Sequence, residues 1–477
     1  MKLGDLLRNI DTEFVNTEIS GITCDSRAVE KGYAFVCING ASVDGHNFAK
    51  SALEKGAAVV ITERNLGLDR EVTVSDTHAA YALMSKEFFG NPASCLRLIG
   101  VTGTNGKTSV TYMLKAILEE AGYKTGVIGT IQNMIGDRVI PAANTTPDAY
   151  NLNKMFKEMA DEGCDFAIME VSSHALDQKR VYGIDFEVAA FTNLTQDHLD
   201  YHLTMENYLD AKKKLFAMCK TAVVNLDDSY AKEILESTDF KKVTFSEKRN
   251  DSTFSAKYIN LRPEGIEYEL VGYNLIKHIK LKTGGKFSVY NSLCAAVCAM
   301  ELGVELSVIA EALEKLNGVK GRAEIVPTGR DFTVIIDYAH TPDGLVNILS
   351  TFKEIKIGRL VCLFGCGGDR DSSKRAIMGA VAAKLSDFVI VTSDNPRTEA
   401  PMAIINDIVK GIPGNKDNYE IIENRVSSIQ HAMDIAKKND IIVLAGKGHE
   451  TYQEICGVKH HLDEREVVAS YLEETRK

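Results

Sequence analysis

Short apolar runs alternate with segments of helical periodicity from about residue 96 to the end of the chain. This pattern predicts an α/β fold with mostly parallel sheets, because parallel strands are joined through helices. A first series of strands is predicted at 96–101, 125–128, 166–171, 188–193 and 221–225, and a second at 333–337, 360–364, 388–392 and 441–445. The glycines Gly318 and Gly321 separate the two series, so we expect a domain boundary there.

Composition narrows the class of protein. The 477 residues are enough for roughly three domains. A formal charge of -11 argues against binding to nucleic acid, and no apolar stretch approaches the length that inserts into a membrane. The ten cysteines are scattered without zinc spacing, which indicates buried thiols in a reducing compartment, the cytoplasm. We expect a cytoplasmic monomer whose partners are small molecules.

A glycine-rich loop follows the first predicted strand of the parallel series. Thr-Gly-Thr-Asn-Gly-Lys-Thr at 102–108 opens a helix predicted to run to about Glu120. Backbone N–H groups at such a helix start bind phosphates, the lysine adds a positive charge, and the last threonine can bind Mg²⁺. The general pattern G-x-x-x-x-G-K-S/T requires a glycine where Val101 stands, so the match is imperfect. The predicted nucleotide contacts are Gly103, Thr104, Asn105, Gly106, Lys107, Thr108 and Ser109.

Several motifs together resemble those of the Mur ligase family. They are the loop at 102–108, Met-Glu-Val-Ser-Ser-His at 169–174, Thr-Asn-Leu-Thr-Gln-Asp-His at 192–198 and Asp-Tyr-Ala-His-Thr-Pro-Asp at 337–343. The resemblance covers essentially the whole chain. It implies a small N-terminal α/β domain that binds UDP (1–96), a central P-loop ATPase domain (97–322) and a C-terminal Rossmann-like domain that binds an amino acid (323–477). It also implies ATP-dependent amide-bond formation through an acyl phosphate, in peptidoglycan precursor synthesis.

The family pattern implies ATP and Mg²⁺ as cofactors. Thr108, Glu170 and His198 are the expected metal ligands. Lys212 is expected to join them as a carbamate, since an unmodified ammonium would be repelled by the metal whereas a carbamate carries a negative charge. Lys107, Lys212, His198 and Glu170 are the expected catalytic residues. In the second half of the chain, the resemblance implies that Asn291, Arg322 and Asp337 contact ATP.

The amino-acid substrate is predicted from polar loops that follow the second series of strands. Asp-Asn-Pro-Arg at 394–397 is similar to the motif of family members that add meso-diaminopimelate, whereas lysine-adding members usually lack the arginine. Diaminopimelate carries an extra carboxylate that an arginine can bind through two parallel bonds. With lysine bound, a buried Arg397 would be left unpaired. The expected contacts are Arg370, Asp394, Asn395, Arg397, Gly446 and Glu450.

The carboxylate substrate implied by the resemblance is UDP-N-acetylmuramoyl-L-alanyl-D-glutamate. Its expected contacts are Ser26, Asn144, Thr145, Thr146, Ser172, Gln178 and Arg180. Ser26 lies in Cys-Asp-Ser-Arg at 24–27, which with 40–44 resembles the uridine-binding end. Two alternatives stay open: a lysine-adding relative, and a non-catalytic regulator that only senses a nucleotide.

Overall fold

The chain divides into two compact units, each described by itself. The structure, a computed structural model, describes residues 1–8, 12–40, 43–262, 265–414 and 418–475. The first unit comprises Met1–Phe245 and Cys294–Val304, and the second comprises Ser246–Leu293 and Glu305–Lys477. In the described part of the chain no helix combines the length and apolarity that crossing a membrane requires.

The first unit begins with a small parallel sheet. Its strands lie in chain order: β1 (Gly21–Thr23), β2 (Tyr33–Val36), β3 (Val59–Thr62) and β4 (Glu71–Thr73). They pack with α1 (Leu3–Leu6), α2 (Ala49–Glu54), α3 (Thr77–Phe88) and 3-10 helices at Glu13–Asn16, Gly45–Phe48 and Pro92–Cys95. Helix α1 has only four residues, because Leu7 leaves the helical region with φ -120° and ψ 95°.

A larger sheet follows in the same unit. Its elements are β5 (Arg97–Thr102), α4 (Lys107–Glu120), β6 (Thr125–Ile128), β7 (Gln132–Ile135), β8 (Arg138–Pro141), α5 (Ala149–Asp161), β9 (Phe166–Glu170), α6 (Ser173–Asp177), β10 (Phe186–Phe191), α7 (Leu199–His202), α8 (Met205–Phe216), β11 (Cys219–Asn225), α9 (Ala231–Glu236) and β12 (Lys241–Ser246). The strand order is β12-β11-β10-β5-β9-β6-β7-β8. The strands from β12 to β6 run parallel, and β7 and β8 are antiparallel additions. The register places Glu170 beside Val101, so the end of β9 adjoins the glycine-rich loop.

The second unit opens with an antiparallel meander of β13 (Phe254–Arg262), β14 (Gly265–Gly272) and β15 (Leu275–Leu281). The elements that follow are α10 (Lys286–Glu301, whose last residues belong to the first unit), α11 (Leu306–Lys315), β16 (Glu324–Val326), β17 (Thr333–Asp337), α12 (Pro342–Ile355), β18 (Leu360–Phe364), α13 (Ser373–Leu385), β19 (Phe388–Val391), α14 (Pro401–Val409), β20 (Tyr419–Ile421), α15 (Arg425–Asp434), β21 (Ile441–Ala445), β22 (Tyr452–Ile455), β23 (Val458–His461) and α16 (Glu464–Glu474).

The C-terminal sheet has helices on both faces. Its order is β16-β17-β21-β18-β19-β20, parallel from β17 to β20. Alternate residues of each strand enter opposite cores, as the two-residue period of a strand requires. Ile335 and Val443 pack with α12, α13 and α14, whereas Ile336 and Leu444 pack with α15 and α16. This doubly wound arrangement confirms the predicted Rossmann-like fold and places polar strand ends along one edge.

Candidate active site

The glycine-rich loop lies at the carboxyl end of β5 and leads into α4. Gly103 and Gly106 have φ values of 148° and 88°, which explains the need for glycine at both positions. The neighbouring strand end fastens the loop: the backbone N–H of Thr104 donates to the Asn193 carbonyl at 2.8 Å, and that of Asn105 donates to Asn193 Oδ1 at 2.9 Å. The loop is therefore fixed by Asn193, just after β10, and leads into a 14-residue helix.

Two lysines converge on one carbonyl of this loop. Lys107 Nζ donates to the Gly103 and Thr104 carbonyls at 2.9 Å each, and Lys212 Nζ donates to the Gly103 carbonyl at 2.9 Å. Lys212 lies on α8 with 1% of its surface exposed, and its Nζ is 4.4 Å from the Tyr208 ring centre. Burial, and secondarily the charge of Lys107, holds the pKa of Lys212 well below its usual value. The neutral amine is therefore more favoured here than for a lysine in water.

Glu170 connects the loop with the next strand end. Its Oε1 accepts from the Thr108 hydroxyl at 3.0 Å and from the Thr130 N–H at 2.9 Å, and its Oε2 accepts from the Thr130 hydroxyl at 3.0 Å. The carboxylate is 1% exposed. A buried carboxylate beside a threonine hydroxyl and a phosphate loop provides hard oxygen ligands of the kind that Mg²⁺ prefers.

His198, the third expected metal ligand, does not share the contact between Thr108 and Glu170. It has φ 53° at the start of α7, and its ring centre lies 4.8 Å from that of His174 and 6.2 Å from that of Tyr208. Among the described residues, no group of three or more His, Cys, Asp or Glu side chains is arranged to hold a metal ion. Thr108 and Glu170 are thus in direct contact, whereas the ligand role of His198 stays a prediction.

The residues predicted for the dipeptide substrate form a second cluster in the first unit. The Thr146 hydroxyl donates to the Glu170 carbonyl at 2.8 Å and accepts from the Ser172 N–H at 3.0 Å. The Arg180 guanidinium donates to the Thr146 carbonyl at 2.7 Å and to Gln178 Oε1 at 2.7 Å. The two oxygens of the Thr145 and Thr130 hydroxyls are 3.1 Å apart. The structure therefore brings four predicted residues together beside the Glu170 strand end, and links Thr145 to them through Thr130.

Asn144 and Ser26 do not share these contacts. Asn144 is exposed, and Ser26 is half-buried, with its carbonyl accepting from Lys55 Nζ at 2.6 Å. Residues 41 and 42 of the second uridine-like segment lie outside the described part of the chain. Cys24 lies near Tyr81, and burial raises the pKa of its thiol.

In the second unit, Arg322 and Asp337 are neighbours. Asp337 Oδ2 accepts from the Ala323 N–H at 2.7 Å, and the Arg322 guanidinium carbon is 4.8 Å from the Tyr338 ring centre. Burial raises the pKa of Asp337. Asn291 is buried in α10, 6% exposed. The predicted ATP contacts are thus divided between the two units.

The residues predicted for the amino-acid substrate gather at the ends of β19 and β21. Asn395 Nδ2 donates to Glu450 Oε2 at 2.9 Å, and Arg397 Nη1 donates to the Gly368 carbonyl at 2.6 Å. Arg397 Nε lies 3.5 Å from Glu454 Oε2. Gly446 has φ 114°, a value that side chains rarely adopt, which explains the glycine there. Arg370 is exposed on the adjoining loop.

These contacts correct the expectation that Arg397 would be left unpaired when lysine is bound. Arg397 already has a carboxylate and a carbonyl as partners without any substrate. The penalty for binding lysine is therefore smaller than that of an unpaired buried arginine, because Glu454 and Gly368 compensate the charge.

Other residues of this cluster were not singled out by the motifs. Lys447 is 0% exposed and bonds to both Asn395 and Glu450. Arg425, equally buried, pairs with Glu464. Lys447 lies within Gly-Lys-Gly-His-Glu at 446–450, so its position in that motif was the available signal.

Comparison with known proteins agrees with the fold. The description "Mur ligase family, catalytic domain" matches residues 18–85, "Mur ligase middle domain" matches 101–299, and "Mur ligase, glutamate ligase domain" matches 321–448. The chain belongs to the Mur ligase family, which confirms the resemblance of its motifs and makes it a ligase.

Similar proteins cover its whole length. A protein of Clostridium botulinum named UDP-N-acetylmuramoyl-L-alanyl-D-glutamate--2,6-diaminopimelate ligase is 46% identical over 485 residues, 99% of this chain and 100% of that protein. One of the same name from Caldanaerobacter subterraneus subsp. tengcongensis is 48% identical and covers 100% of both chains. A solved structure of a ligase with that name has a TM-score of 0.75 at 33% identity, covering 100% of this chain and 99% of its own.

A more distant structure shares only the fold. The MurF ligase of Thermotoga maritima in complex with ADP has a TM-score of 0.62 at 18% identity, with 96% of this chain and 97% of that chain covered. Together with the solved structure at 33% identity, it confirms the predicted α/β class.

Proposed function

We propose that the chain joins meso-diaminopimelate to the D-glutamate carboxylate of UDP-N-acetylmuramoyl-L-alanyl-D-glutamate at the expense of ATP. The observation that carries this proposal is the cluster of Asn395, Arg397 and Glu450, which offers both a cation and an anion to an amino acid. The names of relatives matched over their full length support the same substrates.

The reaction divides into two displacements. A carboxylate oxygen of the dipeptide attacks the γ-phosphorus of ATP, giving an acyl phosphate and ADP. The amino group of the second substrate then attacks the acyl carbon, and the tetrahedral adduct releases phosphate and a proton as the amide forms. Lys107 and the N–H groups of the loop position the phosphates and offset the charge that builds up in each step. To do so, Lys107 exchanges its carbonyl partners for phosphate oxygens.

Mg²⁺ would be held by Thr108 and Glu170, with His198 as a further ligand. Mg²⁺ usually takes one or two carboxylates together with phosphate oxygens and water, and the buried pair fits that requirement. When bound, the ion would neutralise charge on the phosphates. The three hydrogen bonds from Thr108 and Thr130 fix the Glu170 carboxylate in advance.

Lys212 would act as a carbamate. Its neutral amine adds to carbon dioxide, forming an N–C bond and releasing one proton, so that a neutral side chain becomes an anionic one. Burial favours the neutral amine before the reaction, and the positive charge of nearby Lys107 favours the negative charge after it.

The substrates would be bound by the two polar clusters described above. Thr146, Ser172, Gln178 and Arg180, with Asn144 and Thr145, would contact the sugar and peptide, and Ser26 the uridine end. Asn291, Arg322 and Asp337 would complete the ATP site. Arg397 and Arg370 would hold carboxylates of diaminopimelate, and Glu450 an ammonium, with Asp394, Asn395 and Gly446 shaping the site. The domains would be 1–96 for UDP, 97–322 for ATP and 323–477 for the amino acid, in a cytoplasmic enzyme.

A phosphate-release assay tests the proposal. The purified chain is given ATP, Mg²⁺ and the UDP-dipeptide, and then meso-diaminopimelate, L-lysine or no amino acid. We expect release that depends on diaminopimelate. Release with lysine alone would identify a lysine-adding ligase, and nucleotide binding without amine-dependent release would identify a regulator; either result contradicts the proposal.

A further inference from the structure

Lys447 occupies an unusual place in the second unit. Its side chain is 0% exposed, yet its ammonium donates to Asn395 Oδ1 at 3.0 Å and to Glu450 Oε2 at 3.0 Å. Asp394 Oδ1 lies 3.9 Å away. All three partners are residues proposed above to bind the amino acid. Because Lys447 has no exposed surface, it acts on a substrate only through these partners.

The partners are fixed by further bonds. Asn395 Oδ1 also accepts from the Glu454 N–H at 2.9 Å, and Asn395 Nδ2 donates to Glu450 Oε2 at 2.9 Å. The orientation of the Asn395 amide is therefore fixed: its oxygen accepts from Lys447 and Glu454, and its nitrogen donates to Glu450. Glu450 keeps 16% of its side chain exposed, so it faces solvent while Lys447 fills its buried side.

Each carboxylate of this cluster already has a cation nearby. Glu450 has Lys447, and Glu454 has Arg397 at 3.5 Å. Asp394 and Glu464 share Arg425, at 3.8 Å and 2.8 Å. The distal end of the amino acid is the end away from the amino group that forms the amide. If that end carries only an ammonium, it meets a carboxylate whose charge a protein cation already compensates. A distal end with both an ammonium and a carboxylate adds no net charge and can engage Glu450 and Arg397 together.

We propose that Lys447 is a specificity-determining residue: by compensating Glu450 from the buried side, it favours an amino acid with a zwitterionic distal end over one with a cationic end. The role rests on the proposed function and extends it. Removing the positive charge makes the site one unit more negative. That change strengthens binding of any ammonium and weakens binding of a carboxylate at Arg397, which only diaminopimelate presents.

The test compares the variants Lys447→Met and Lys447→Gln with Lys447→Arg and the wild type. The glutamine keeps a hydrogen-bond donor without the charge, and the arginine keeps the charge. Each protein receives an equimolar mixture of meso-diaminopimelate and L-lysine with saturating ATP and UDP-dipeptide, and mass spectrometry gives the product ratio. We expect the ratio of diaminopimelate to lysine product to fall at least roughly tenfold in both neutral variants. It should stay near the wild-type value in Lys447→Arg.

A purely structural role would lower both products equally and leave the ratio unchanged, and this result would overturn the proposal. So would a ratio that falls in Lys447→Met but not in Lys447→Gln, because hydrogen bonding rather than charge would then be responsible. Nucleotide affinity and the unfolding temperature show whether each variant is folded; if the methionine variant is not, the glutamine variant decides. A wild type that does not use diaminopimelate would overturn the proposed function itself, whereas an unchanged ratio overturns only the role of Lys447.

Discussion

Arg397 is held in the left-handed region of the backbone, with φ 52°. Its N–H donates to the Glu454 carbonyl at 3.1 Å, and its carbonyl accepts from the Cys456 N–H at 2.7 Å. The hairpin of β22 and β23 thus stabilises a conformation that costs a non-glycine residue roughly 1 kcal/mol. Its side chain is oriented by the backbone as well as by Gly368 and Glu454.

Replacing Arg397 should weaken the binding of diaminopimelate more than the binding of ATP. Arg397→Ala is expected to raise the KM for diaminopimelate roughly 100-fold, the loss of about 3 kcal/mol typical of a charged partner, with little change in the KM for ATP. Arg397→Lys is the matched control, since it keeps the charge and loses the fork. Steady-state kinetics measure both constants, and an equal rise in the two would contradict the assignment.

Lys212→Ala is expected to lose nearly all ligase activity, because the proposed carbamate is lost with the amine. Short carboxylates such as acetate or formate should restore part of the activity by supplying the negative charge. Lys213→Ala, on the same helix with 33% of its side chain exposed, should remain active without them. Full activity of Lys212→Ala without added carboxylate would exclude the carbamate.

Among the elements, the buried parallel strands were the most predictable. The structure has β6, β17, β18 and β21 with the predicted bounds, because each is a short apolar run flanked by polar loops. Strand β10 was predicted at 188–193 but ends at Phe191. Thr192 and Asn193 instead bond to the glycine-rich loop, and no local pattern reveals such a long-range partner.

The antiparallel meander and the buried Lys447 were not predicted. Ile-Glu-Tyr-Glu-Leu at 266–270 alternates apolar and polar residues, so a strand signal for β14 was present in the sequence. The turn at Tyr273-Asn274, with φ 47° and 62°, lacks the glycine that marks most two-residue hairpin loops. Lys447 differs, because a lysine is nearly always exposed and its burial depends on Asn395, 52 positions away. The motifs predicted that Asn395 and Glu450 lie in one site, whereas the charge pairing around them required the structure.

Asn193, just after β10, suggests a test of how this segment supports the glycine-rich loop. Asn193→Ala removes the Oδ1 that accepts from Asn105, so the loop loses part of its support. We expect the KM for ATP to rise several-fold, as for the loss of about 1 kcal/mol of hydrogen bonding, while the KM for diaminopimelate stays the same. Titration with ATP measures the first constant. An unchanged affinity for ATP would show that the loop keeps its shape without this contact.

For the molecule as a whole, the half-buried His449 predicts a loss of stability in mild acid. Burial, with nearby Arg322, lowers the pKa of His449 to about 4. The unfolded chain, with an ordinary pKa near 6.5, binds the proton more readily between those values, so unfolding becomes easier as pH falls from about 6.5 to about 4. His449 contributes at most about 3 kcal/mol to this change. His449→Gln should flatten the dependence of the unfolding free energy on pH. An unchanged slope would mean that other groups cause this pH dependence.

The first unit is discontinuous in sequence, and this has a consequence for synthesis on the ribosome. Cys294–Val304 belongs to that unit, with Arg97 donating to the Leu302 carbonyl at 3.2 Å and Lys241 paired with Glu301. The unit therefore cannot complete its packing when residue 245 emerges; about 60 further residues, several seconds of translation, must follow first. During that interval the apolar surface that Cys294, Cys298 and their neighbours later cover is exposed, so this nascent chain is a candidate substrate for chaperones.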